Sequence, residues 1–599
     1  MNNSLHNLSP DLQEKDLIAN TLERVAEINA ITGKESIPAS FEVDDEAVWF
    51  LHEKKDAPLT REKICSPLWI TGYTRDHNNE NHGRILEFQD ADGHKHIWTM
   101  PMELLAGESS KILGMLWNMG LWISTKKSAK ERLMEYITQC TPIRRARCVS
   151  QCGWFKEAFV LPAQTIGYLQ SEKIIYQSPG SIESTVNTRG SLEDWKEKIA
   201  KMAIGNSRLI LALSAGFTGR LLKLMNHENI GIHFKGNSSL GKSTALQVGN
   251  SIWDSPSGIR TYRATANGLE GIAALHNDRI LCLDELSQCV PQEAGQVIYM
   301  LGNGMSKGRA NQQGIAKKQI TWRLVFLSNG EEGLAQLLRE IGKKVKAGQE
   351  VRLIEIPADT NIHGLFENLH GFEGGADFST YLKDMCSKHY GTVAEAFLRR
   401  LIENTEEAVG YVKTVCDGLK QRYLPKNSSS QVVRVFGHLS LIAGVGELAT
   451  YFKITGWETG MAADGVMKCF QDWLQARGGV GMQEEQVAID QVKSMFELHG
   501  ESRFSPWERD PNDKMRTSQR MGYRRETDEG TEFVVFKKAF RNEICNGLDY
   551  QYVEKLCLQH GLLLPDKEGN PTCPERFPGC KTTSRCYVFK MEILSKEVK

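Results

Sequence analysis

No stretch of about 18 consecutive apolar residues, the length that crosses a bilayer, occurs in the chain, and the opening MNNSLHNLSPDLQEKD lacks an apolar core flanked by basic residues. Neither a membrane span nor a secretory signal is expected, and the expected location is the cytoplasm. A surplus of one charge sign is missing too: 73 Lys and Arg face 74 Asp and Glu, for a formal net charge of -1. That excludes a histone-like blanket of positive charge, so any contact with nucleic acid must come from local patches. The 14 cysteines never fall in CxxC spacing. Cys148 with Cys152, and Cys573 with Cys580 and Cys586, therefore lack the pattern of a structural zinc site. Cys282 and Cys469 sit inside apolar runs, as reduced thiols do, and no disulfide framework is expected.

What is present is an ordinary folded composition, 41% hydrophobic and 25% charged, which excludes a largely disordered or fibrous chain. A length of 599 residues exceeds one hydrophobic core and predicts roughly three to five domains. Residues 1–40 read as a polar leader with one weakly amphipathic stretch, DLIANTLERVAEI. Residues 41–180 read as an α+β N-terminal module. Within it GRILEFQDADGHKHIWTM is a hairpin turning at Asp92-Gly93, an amphipathic helix spans roughly Ser109 to Thr125, and ARCVSQCGWFKEAFVLP forms strands meeting at a Gly153-Trp154 turn. His94, His96, Asp76 and Trp98 read as a solvated hairpin face rather than a site. Residues 181–228 are expected as a helical linker, 229–359 as an α/β core, 360–480 as a helical lid, and 481–599 as a winged helix, from the order helix, helix, helix, hairpin.

The chemistry concentrates in the α/β core. Gly236, Asn237, Ser238, Ser239, Leu240, Gly241, Lys242 and Ser243 fit GxxxxGK[ST] between a short apolar strand and a helix that continues through Thr244. In such a loop, backbone N–H groups at a helix N-terminus close around phosphate oxygens. Lys242 adds positive charge, and the Ser243 hydroxyl is suited to Mg²⁺. Some 40 residues on, RILCLDE is an apolar strand ending in Asp284, expected to hold Mg²⁺ through water, and Glu285, expected to activate the attacking water. ITWRLVFLSNG is a second buried strand, whose Asn329 is expected to position that water. The cofactors expected are ATP and Mg²⁺.

With four motifs in order, the stretch from about Asn229 to Val480 resembles the AAA+ ATPases. The resemblance implies a trans-acting arginine finger, matched by Arg352 in AGQEVRLIEIPAD with Arg339 as second candidate, and a nucleotide-contacting lid arginine, matched by Arg434. Between the acids and Asn329 lies GNGMSKGRANQQGIAKKQITWR, a glycine-rich basic insert that reads as a hairpin. It resembles the channel hairpin of minichromosome maintenance and viral superfamily-three helicases. The cations matching its DNA-gripping tip are Lys307, Arg309, Lys317 and Lys318. Residues 41 to 480 also resemble the mobile-element proteins of domain of unknown function nine-two-seven, which include self-loading helicases of cassette chromosome elements. Longer relatives carry primase parts upstream, for which the polar leader leaves no room.

The function expected is an ATP-dependent DNA helicase of a phage, plasmid or other mobile element, hexameric, with single-stranded DNA in its channel. Duplex origin DNA and primase or polymerase partners are further expected contacts. In the last domain GLDYQYVEKLCLQHG is the expected recognition helix, with Arg516, Arg520, Arg524 and Arg525 before it offering phosphate contacts. Two other functions fit the same motifs: a remodeller of proteins with an incidental hairpin, and an origin-binding initiator that uses ATP only as an assembly switch.

Overall fold

The computed structural model describes residues 37–53, 58–107, 109–162, 164–167, 172–177, 186–310, 314, 316, 319–343, 347–479, 483–508, 517–528 and 530–590. The leader helix expected before residue 37, Lys317, Lys318 and Arg516 lie outside the described residues. The chain is a multidomain assembly of helices and sheets. Phe41–Val43 (β1), Val48–His52 (β2) and Thr60–Cys65 (β3) make one antiparallel meander. Leu68–Arg75 (β4), Gly83–Gln89 (β5) and Lys95–Pro101 (β6) make a second. The β5–β6 turn falls at Asp92-Gly93, where Gly93 supplies a φ of 83°. Ser109–Asn118 (α1) and Lys127–Gln139 (α2) bury Ile112, Leu116, Leu133 and Tyr136 against Phe41, Val48 and Leu86.

Arg145–Val149 (β7) returns parallel to β4. Gly153–Phe155 (β8), Ala158–Val160 (β9) and Thr165–Ile166 (β10) form a small antiparallel sheet, and Lys173–Tyr176 (β11) then pairs parallel with β7. The turn here is at Lys156-Glu157, with Lys156 at φ 54°, and not at Gly153-Trp154 as the sequence suggested. Gly153 serves a tertiary approach instead: a Cβ there would lie 2.4 Å from Asp278 Oδ2. Trp154 and Phe159 accordingly leave the N-terminal module's core and join the central one.

The stretch expected as a linker contains Ser207–Leu224 (α3), buried without interruption from Ser207 to Leu222. It is the central helix of the molecule, because apolar residues line every side of it and each side meets a different element. The α/β unit follows as Ile230–Lys235 (β12), Lys242–Asn250 (α4), Arg260–Thr261 (β13), Ala266–Leu275 (α5), Ile280–Asp284 (β14), Pro291–Asn303 (α6), Val325–Gly330 (β15), Leu334–Glu340 (α7) and Ile354–Pro357 (β16). The sheet order is β13-β14-β15-β12-β16, and every neighbouring pair is parallel. The carboxyl ends of β12, β14 and β15 therefore open onto one edge, the ligand crevice of an open parallel sheet.

Gly375–Lys388 (α8), Thr392–Glu403 (α9), Thr405–Tyr423 (α10), Ser430–Tyr451 (α11) and Met461–Arg477 (α12) complete this part. They share one hydrophobic core with the sheet, in which Phe217, Ile232, Phe234 and Ile356 pack with Phe436, Leu439, Val445 and Phe470. Among the described residues α11 alone is long and apolar enough to cross a membrane, and 83% of its most apolar window is buried inside the protein.

The last unit opens with Gln483–His499 (α13) and closes with Tyr550–Gln559 (α14), Leu563–Leu564 (β20), Cys573–Glu575 (β21) and Ser584–Lys590 (β22); between them lie Phe504–Pro506 (β17), Gly522–Thr527 (β18) and Gly530–Phe536 (β19). The sheet runs β17-β18-β19-β22-β20 with β21 also on β22. Where three helices and a final hairpin were expected, the described residues of this unit form six strands, three of them ahead of α14. Arg524 and Arg525, expected to offer phosphate contacts, lie on β18, where Arg525 pairs with Glu532 at 2.7 Å and Glu575 at 3.0 Å. Arg520 donates to the Tyr523 hydroxyl at 2.8 Å.

Candidate active site

Two left-handed residues shape the loop between β12 and α4: Ser239 at φ 64° and Gly241 at φ 100°. A Cβ on Gly241 would press to 2.9 Å from the Phe366 ring, so both the turn and its cover require glycine there. Lys242 folds back over the loop and donates to the carbonyls of Gly236 at 2.6 Å and Asn237 at 2.5 Å. Burial pushes its ammonium below the usual lysine range, opposed by the charges of Glu331, Glu285 and Asp284. The Thr244 hydroxyl meets that of Ser379 on α8 at 2.6 Å, tying α4 to the helical layer.

The acids arrive from the adjoining strands. Ser243 Oγ donates to Asp284 Oδ1 at 3.3 Å, and the Asn329 amide donates to both, at 3.2 and 2.8 Å. Asn329 Oδ1 in turn accepts the Glu285 backbone N–H at 2.7 Å. Glu285 sits at φ 57°, a strained setting for a non-glycine residue, held by that bond. Its carboxylate accepts from Ser287 Oγ at 2.7 Å. Sequence distances of about 40 and 86 residues are thereby closed into one cluster of a hydroxyl, two carboxylates and an amide. Beneath it lies a buried chain: the Tyr262 hydroxyl donates to Ser328 Oγ at 3.0 Å, and His233 Nδ1 meets the same oxygen at 2.9 Å. Burial holds the His233 imidazole near a pKa of about 4, hence neutral.

The arginines are arranged differently. Arg352 precedes β16 at the amino edge of the sheet, opposite the loop. Its guanidinium bonds Asn303 Oδ1 at 3.0 Å and the Gly348 carbonyl at 2.5 Å, and stands over the Tyr299 ring at 4.5 Å. Arg339 is exposed near the end of α7. Arg434, read as a lid arginine at the nucleotide, is not brought to the loop: it forks onto Glu228, which precedes β12 at that same far edge. Gln431 and Val435 on α11 line a cavity of about 720 Å³ that begins at Gly236 and Asn237, while the Arg434 guanidinium is taken up by Glu228. Arg477, at the end of α12, lines that cavity and donates to Gln431. Sequence reading passed over it, though a cation in the last turn of a helix before Gly478-Gly479 was a visible signal.

The basic insert is a hairpin stem, with antiparallel bridges Met305↔Thr321 and Ala310↔Ala316. Lys307 is exposed. Arg309 is not free for a ligand: it pairs at 2.5 Å with Glu270, whose side chain is 1% exposed, and donates to Asn267 at 2.7 Å.

Residues 41–321 match the family model DUF927, a domain of unknown function. The match runs from β1 to the last described rung of the insert's stem, and so takes in the loop and both acids. No curated protein matches the chain in sequence. Among solved structures the fold is similar to one described as "SCCmec type IV Cch - active helicase", at 17% identity and a TM-score of 0.65, over 93% of this chain and 99% of that one.

Proposed function

We propose that this chain is an ATP-dependent DNA helicase of a mobile element, an AAA+ motor that works as a homo-oligomeric ring, with a winged helix as its last unit. The observation that carries the reading is the Lys242, Ser243, Asp284, Glu285 and Asn329 cluster at the carboxyl edge of a parallel sheet, with a basic hairpin inserted between the acids and the amide. The donor set suits the expected cofactors. A hydroxyl and a carboxylate oxygen 3.3 Å apart are hard ligands of the kind Mg²⁺ takes, and such an ion supplies charge neutralisation on the phosphates. Lys242, freed from the carbonyls of Gly236 and Asn237, neutralises phosphate charge. Glu285 accepts the proton of the attacking water, and Asn329 holds Glu285 and the water in register. Arg352 lies on the opposite edge from its own loop, so its action on a nucleotide is in trans, on the neighbouring subunit's site. The fold likeness to a described helicase supports DNA as the track, and Lys307 is the exposed hairpin cation that meets its phosphates.

The test is hydrolysis with and without DNA, followed by strand displacement on a forked duplex. DNA-stimulated hydrolysis with displacement is expected. Hydrolysis indifferent to DNA turns the reading to a remodeller of proteins, and DNA binding without displacement to an initiator.

A further inference from the structure

Trp117 and Trp122 are exposed to 45% and 52%, and among the described residues no other tryptophan is as open. Each carries a lysine ammonium over its ring: Lys130 Nζ stands 5.1 Å from the Trp117 centroid and Lys63 Nζ 5.4 Å from that of Trp122. Lys63 is also 5.9 Å from Trp49, so it stands between two indoles. Lys126 and Lys127 are exposed at the start of α2, Lys127 facing Glu131 at 3.9 Å. The acids nearby are engaged elsewhere. Glu42 and Asp44 hold Arg61 at 3.0 Å each, and Asp44 also accepts the Trp49 indole N–H; Glu62 takes Ser128 and His52.

Folding does not account for this surface. An indole left half in water forgoes burial, and lysines at the amino end of a helix oppose its dipole. A protein interface does not account for it either, since lysine is depleted from such interfaces while aromatic residues are enriched. Aromatic faces alternating with ammonium groups match one polymer that offers flat bases and anionic linkages in alternation. Five residues of chain keep the two tryptophan Cα atoms within about 18 Å of each other.

We propose that the Trp117–Trp122 surface of the N-terminal module binds single-stranded nucleic acid, with a base stacked on each indole and Lys63, Lys126 and Lys130 meeting the phosphates. This surface belongs to a different unit from the nucleotide cluster and the hairpin, and binding there needs no hydrolysis. The test uses the full chain without nucleotide and a labelled oligothymidylate. Trp117→Ala with Trp122→Ala should weaken binding at least about tenfold, and Trp→Phe at both positions should restore it. Lys63→Ala with Lys126→Ala should make the dependence on log salt shallower by about 0.7 per lost contact. On the wild type, iodouracil-substituted oligonucleotide should crosslink to Trp117 or Trp122, a readout that does not depend on any variant folding. Unchanged affinity in the alanine variant, or crosslinks confined to other units, would overturn the proposal. Failure of the helicase reading has a different signature, since it appears only as missing strand displacement or missing DNA stimulation of hydrolysis.

Discussion

The two edges of the five-stranded sheet are built on opposite terms. At the carboxyl edge, Lys242 rests on neutral carbonyls and Ser243, Asp284 and Asn329 satisfy one another, leaving charge to be met by a ligand. At the amino edge Arg434 is paired with the Glu228 carboxylate, whereas Arg352 is held only by neutral groups, the Asn303 amide oxygen, the Gly348 carbonyl and the Tyr299 ring. A cavity of about 500 Å³ opens there too, lined by Lys223, Glu228, Asp278 and Arg323 from separate elements. The contrast teaches that a cation's residue type announces little; what matters is whether the protein itself has completed the charge, as it has for Arg434 and has not for Lys242 or Arg352.

The largest effect expected is at the first edge. Lys242→Ala should abolish tight ATP binding, whereas Glu285→Gln should keep binding and lose at least about a hundredfold in turnover, since one neutralises phosphate and the other takes a proton. Nucleotide titration alongside single-turnover hydrolysis separates the two defects. Near-normal turnover in the Glu285 variant would erase the distinction between the edges.

The insert hairpin sits between these cases, and its two cations should behave unlike each other. Arg309→Ala removes the cationic partner of Glu270, a carboxylate with 1% exposure that keeps, among the described residues, only the Lys307 backbone N–H at 3.0 Å, and should cost about 2 kcal/mol of stability, less than a fully buried pair because Arg309 is itself 43% exposed. Lys307→Ala should leave the melting temperature in place and reduce DNA-stimulated hydrolysis. Thermal melts of the two variants decide this, and equal melting temperatures would return Arg309 to the ligand-binding class.

The smallest effect belongs to the amino edge. Asp278 accepts the Trp154 and Asn277 N–H groups at 2.9 Å, while its other oxygen is buried without a partner. Burial raises its carboxyl from 3.8 to about 6. The folded state thus favours the protonated form: the associated stability is complete below pH 3.8 and lost as pH rises through about 6. Asp278→Asn keeps an acceptor for both donors and has no charge to bury. It should melt higher than wild type at pH 8, by on the order of 1 kcal/mol, and the gap should close toward pH 4. A pH-independent difference would show that packing, not ionisation, is responsible.

The loop between β12 and α4 was legible because its parts are local: a strand, a tight turn and a helix N-terminus lie within fifteen residues, and an apolar strand ending in acids needs no distant partner to be read. The β5–β6 hairpin was legible for the same reason, through Asp92-Gly93. What the sequence by itself determined is therefore the residue types available, namely a glycine-bearing loop with its lysine, two acids, an amide and a basic insert, together with the alternation of units along the chain. Only the tertiary structure decided which charges remain open. It turned Arg434 to Glu228 and Arg309 to Glu270, made a presumed linker into the central helix α3, and used Gly153 to approach Asp278 rather than to turn. Each of these depends on a partner tens to hundreds of residues away, and pairing at that distance is set by how helices and strands pack, which no local pattern of residues records.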